Sequence, residues 1–172
     1  MNWTFIVAIL ISALGVGVFY WQMELSPKSP RRLPSKREKE FRMPDMRFHY
    51  TADELYAIFG EAGEAGRPLM RRYWLLDFGF ILFFLGAMVS VSLNVAGYGT
   101  TLFWLMAVTS VARAVLDVAE NGLLLALLGA CPARKNGLAG LTGFVTSAKF
   151  VCLYAWVIIL FYKLFGAAFH IA

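Results

Sequence analysis

Four stretches of the chain are apolar on every side instead of alternating: residues 3–21, about 73–98, about 101–129 and about 138–165. A helix apolar all round belongs in a core or a bilayer, and each run reaches the roughly 20 residues that cross a ~30 Å hydrocarbon layer. The breaks between the runs have turn chemistry. Gly97-Tyr98-Gly99-Thr100 supplies residues that tolerate unusual backbone angles, so the second and third runs are predicted to form an antiparallel hairpin. Between the third and fourth, Gly129 can close a helix and Pro132 prevents its continuation. The fold class is therefore an all-α integral membrane protein with four transmembrane helices.

The organisation predicted along the chain is a first span over 1–23, a Pro-rich basic tether over 24–50, a short helix over 51–70 and a three-helix membrane bundle over 71–172. Trp3 to Trp21 carries no charge and is bracketed by tryptophans, as an interfacial anchor pattern requires. It lacks a basic leading flank, and Tyr20-Trp21-Gln22-Met23 is too bulky for a signal-peptide cleavage site, so the run is expected to remain as an anchor. Thr51-Ala52-Asp53-Glu54 has the form of a capping box. Leu55, Ile58 and Phe59 follow at helical spacing, which predicts a short amphipathic helix on the cytoplasmic surface. Gly63 and Gly66 interrupt it, and Pro68 sits where a first helical turn accepts proline.

Composition bears out the membrane reading. Of 172 residues 59% are apolar and 16% charged, against about 25% charged in ordinary soluble domains. The 16 basic residues are unevenly placed: eleven lie between Gln22 and Arg72, and Arg134 and Lys135 occupy the loop after the third span. Short loops rich in Lys and Arg stay on the cytoplasmic side. The 22–72 loop is thus expected inside and both termini, including His170, outside, in a membrane whose style suggests the bacterial inner membrane. Lys28, Arg31, Arg32, Lys36 and Arg37 form a basic arm at the membrane surface, where each is worth about 1 kcal/mol against anionic lipid. Glu38, Glu40 and Asp45 dilute that attraction, and without interleaved aromatics the arm does not read as a nucleic-acid binder.

The chemically informative residues are the ionisable ones inside the spans: Asp77 on the second, Arg113, Asp117 and Glu120 on the third, Lys149 on the fourth. Each is costly facing lipid alone. Arg113, Asp117, Glu120 and Asn121 share one face at 100° per residue, with Thr109 and Ser110 extending it as a polar wall. At about 1.5 Å per residue, Glu120 and Lys149 both lie ~16 Å from the cytoplasmic ends of their antiparallel helices, which makes them natural partners. Asp117 is placed to share Lys149 or to pair with Arg113 at i and i+4. Three carboxylates against two cations leave a surplus negative charge, so one of Asp77, Asp117 or Glu120 is expected to hold a proton near neutral pH.

Three functions fit these observations. First stands an accessory or assembly subunit docking on a larger membrane complex or on a second copy of itself. Next is a protein translocating protons, ions or a small solute through Glu120, Asp117 and Lys149. Last is a lipid-headgroup-modifying enzyme, in which Asp117-x-x-Glu120-Asn121 would hold a divalent cation. No nucleophile, glycine-rich nucleotide loop, haem ligand pair or zinc spacing supports an enzyme, and no cofactor or metal is implied. Cys131 and Cys152 have no redox spacing.

Overall fold

The computed structural model describes residues 3–34 and 41–168. It is helical, with no strand among the described residues. α1 spans Trp3–Tyr20 and runs on into one wide π turn, Trp21–Leu25. α2 spans Ala52–Ala96, α3 Thr101–Ala130 and α4 Asn136–Ala168. All four helices are long and apolar enough to cross a membrane. The hairpin between α2 and α3 forms as predicted: Gly97 and Gly99 take positive φ, and Thr100 caps α3 by accepting from the Phe103 amide at 3.1 Å.

The start of α2 carries the predicted capping box, with Thr51 Oγ1 accepting from the Glu54 amide at 3.3 Å and the Thr51 amide donating to Glu54 Oε2 at 2.7 Å. The short helix is not a separate element, however. Residues 52–96 form one helical rod broken only at Gly63, whose φ of 62° and ψ of −170° only glycine adopts freely. That break redirects the chain. Phe59 and Trp74 would stand ~22 Å apart along a straight helix, yet their rings are 6.3 Å apart, edge to face. Pro68 lies inside the helix, five residues past the break and not in its first turn as expected, so the Glu64 carbonyl loses the amide donor it would otherwise have.

The 24–50 segment departs further from expectation. In place of the Pro-rich basic tether that the sequence predicts, Phe41, Met43 and Tyr50 are buried with Leu55, Phe59, Trp74 and Leu124 in a single apolar cluster. The segment 41–50 lies along α4, where Phe48 stacks on Tyr154 at 6.3 Å and the Phe48 carbonyl accepts from Ser147 Oγ at 3.0 Å. Gly143 permits this approach: a Cβ there would stand 2.1 Å from the Tyr50 carbonyl oxygen. Few apolar residues suffice, because the ends of α2, α3 and α4 supply the rest of the core.

This core occupies the end of the molecule that carries the basic loops, called here the basic end. Toward the far end the helices present apolar side chains outward, such as Val108, Val111 and Val115 on α3 and Val151 and Ile158 on α4. Small residues seam α1 to α2: a Cβ on Gly79 would stand 2.2 Å from the Phe19 ring, and one on Gly15 2.2 Å from Phe83.

Candidate functional site

α3 presents Arg113, Asp117, Glu120 and Asn121 on one buried face, toward α2 and α4. Arg113 Nη2 meets Asp117 Oδ2 at 2.6 Å across one helical turn. Lys149 from α4 lies between the acids, 2.8 Å from Asp117 Oδ1 and 2.5 Å from Glu120 Oε2. Both predicted roles of Asp117 are thus met at once. Lys149 also occupies the place a divalent cation would take between Asp117 and Glu120, and no group of acids, histidines and cysteines suited to a metal occurs among the described residues.

Hydroxyl and amide side chains flank this clamp. Thr146 Oγ1 donates to Glu120 Oε1, and the Tyr50 hydroxyl lies 3.2 Å from the same Thr146 oxygen. Asn121 Nδ2 donates to Asp77 Oδ2 at 2.7 Å, tying α3 to α2. Arg113 rests its guanidinium 4.4 Å from the centre of the Phe84 ring, a cation–π contact in a dry setting. Its Nη1 and the Asn121 Oδ1 are buried without a hydrogen-bond partner among the described residues.

Asp45 joins the group, unforeseen from sequence. It is buried and accepts from Trp74 Nε1 at 3.1 Å. Burial pushes its carboxyl above the ordinary aspartate range, against the pull of the Lys149 charge and the Trp74 bond. Burial likewise raises the Tyr50 phenol, helped by the neighbouring Glu120 charge. The sequence carried one usable signal: Thr142, Thr146 and Lys149 recur at i, i+4 and i+7, a polar stripe on an otherwise apolar helix. Asp45 gave none, because a carboxylate amid arginines reads as a surface charge.

Other expected members fall elsewhere. Ser110 Oγ and Thr109 Oγ1 donate to carbonyls of their own helix, at 2.7 Å to Met106 and 3.0 Å to Leu105, so neither forms a polar wall. The reason is local: one turn back lies a free acceptor that a short hydroxyl reaches without crossing to another helix. Of the basic arm, Arg31 pairs with Glu24 at 3.7 Å while Lys28 and Arg32 are exposed. Lys36 and Arg37 lie outside the described residues.

Next to the clamp is a cavity of about 220 Å³, walled by Asp45, Asp77, Arg113, Asp117 and Lys149 and by Tyr20, Tyr73, Phe80, Phe84 and Phe150. Four buried carboxylates, Asp45, Asp77, Asp117 and Glu120, therefore face two buried cations, Arg113 and Lys149. Both cations are committed to Asp117 and Glu120, and neither Asp45 nor Asp77 forms an ion pair among the described residues. Toward the far end the interior turns apolar, with Met88, Met106 and Trp156 packed together and Trp156 Nε1 donating to Ser92 Oγ at 3.0 Å. Comparison of the chain with protein-family models, with curated proteins and with solved structures finds no match.

Proposed function

We propose that this is a four-span membrane protein that exchanges protons at Asp45 and Asp77, with Arg113, Asp117, Glu120 and Lys149 as the ionic clamp that holds the helices around them. One observation carries the reading: the two acids line a cavity and, among the described residues, neither forms an ion pair, because the Lys149 and Arg113 beside them are engaged by Asp117 and Glu120. An ionised carboxylate in low dielectric without a partner costs several kcal/mol, so taking up a proton is the cheapest relief.

The basic loops orient the protein with its basic end inside and both termini outside. On α3 no large apolar side chain is exposed beyond Val118. The charge-free run of α1 ends at Trp21, and Tyr20 and Met23 line the same cavity as Asp77. Asp77, five residues past Arg72, therefore lies near the inner rim of the hydrocarbon layer. α3, 30 residues long, is about 45 Å against the ~30 Å layer, so its last turns project inward as part of the core. Protons reach Asp77 from the inside, and the Met88–Met106–Trp156 packing bars an open pore. A carrier or relay fits this geometry better than a channel.

The test is proton movement into sealed vesicles containing the full chain and an internal pH dye, after an imposed pH step. Equilibration faster than in empty vesicles is expected, and the Asp45→Asn/Asp77→Asn protein, melting like the wild type, should return the rate to the empty-vesicle value. Vesicles with wild-type protein as tight as empty ones would sink the proposal. A stoichiometric partner retained in mild detergent would then favour the accessory-subunit reading.

A further inference from the structure

A second site, independent of the acidic cavity, lies on the outer surface between α2 and the last turns of α3. A groove of about 550 Å³ is lined by Glu64, Arg67 and Arg71 at one end and by Leu75, Leu125 and Leu128 along its floor. Arg67 and Arg71 are one helical turn apart and so project from one face. Arg67 Nε is buried without a hydrogen-bond partner among the described residues, and Arg71 is exposed. Neither arginine forms an ion pair with a described acid. Leu75, 53% exposed, continues the floor toward the hydrocarbon side.

We infer that this groove binds one anionic phospholipid of the inner leaflet, its phosphate between Arg67 and Arg71 and an acyl chain along Leu75 and Leu125. Depth supports the assignment. Arg71 is six residues, or ~9 Å along the helix, further toward the inner side than Asp77 at the hydrocarbon rim, which is the level of the headgroups. A guanidinium offers five donors in a planar fork matched to phosphate oxygens. The buried, unmatched Nε is a donor awaiting such an acceptor. Glu64 at the mouth opposes the phosphate charge and so limits affinity. A soluble phosphate would use the arginines but leave the leucine floor uncovered; only a lipid uses both.

The experiment is native mass spectrometry of the full chain released from mild detergent after mixing with dioleoyl phosphatidylglycerol and dioleoyl phosphatidylcholine in equal amounts. Selective retention of one phosphatidylglycerol is expected. Arg67→Gln and Arg71→Gln should each reduce it about fivefold, the equivalent of about 1 kcal/mol, and Glu64→Gln should increase it. Lys135→Gln, exposed in the loop after α3 and not part of the groove lining, should leave it unchanged. Arg71 is exposed, so its variant keeps the fold, and matching melting curves check this. Equal retention of the two lipids would overturn the inference, as would an equal loss in Lys135→Gln, or displacement of the lipid by inorganic phosphate.

Discussion

Replacing Lys149 by Met removes the one cation that Asp117 and Glu120 share. The two acids do not suffer equally. Asp117 keeps Arg113 at 2.6 Å, whereas Glu120, fully buried, is left with the Thr146 hydroxyl alone. At about 4 Å and an effective dielectric of about 20, one ion pair is worth about 4 kcal/mol before desolvation. Breaking a buried pair on one side costs about 3–5 kcal/mol, because the charge left behind keeps its desolvation penalty. Lys149→Met is therefore expected to lose about that much stability. Adding Glu120→Gln removes the stranded charge while its amide still accepts from Thr146, so the double variant should recover about half. Denaturant-induced unfolding in detergent, followed by tryptophan fluorescence, measures all three proteins, and the coupling between the substitutions should be at least about 2 kcal/mol. Additive losses, or a harmless Lys149→Met, would refute the claim that Lys149 holds Glu120 in place.

Asp45 gives a pH prediction whose sign follows from its raised carboxyl. In the folded state it holds a proton over a range where the unfolded chain, at the ordinary value of 3.8, has released it. Its contribution is therefore present at acid pH and is lost as pH rises from about 4 through the raised value. Asp45→Asn should remove that slope and melt higher than wild type at alkaline pH; parallel melting-temperature profiles of the two would count against a buried, protonated Asp45. Gly143→Ala places a methyl group 2.1 Å from the Tyr50 carbonyl oxygen and must displace the 41–50 segment. Overpacking of this kind costs about 1–3 kcal/mol, and limited proteolysis should cut within residues 41–50 sooner than in wild type, whereas unchanged cleavage would mean the segment does not depend on that contact.

How much of this was legible beforehand depends on the range of the interaction. The four spans, the Gly97 turn, the Thr51–Glu54 cap and the shared face of Arg113, Asp117 and Glu120 follow from periodicity and from residues within one or two turns of each other, and the chain states such facts directly. The meeting of Lys149 with Glu120 was also readable, because two antiparallel helices joined by a short turn fix each other's register. Asp45 was not, since its place depends on a 41–50 segment that packs only because Gly143 leaves room and because Gly63 turns Phe59 back onto Trp74. The same packing joins the ends of α2, α3 and α4 to the 41–50 segment in one apolar core. Hydrophobicity alone determined four helices long and apolar enough to cross a membrane. Which of its acids remain without a cation was decided by tertiary contacts between residues far apart in the chain, where one glycine's empty space counts for more than local pattern.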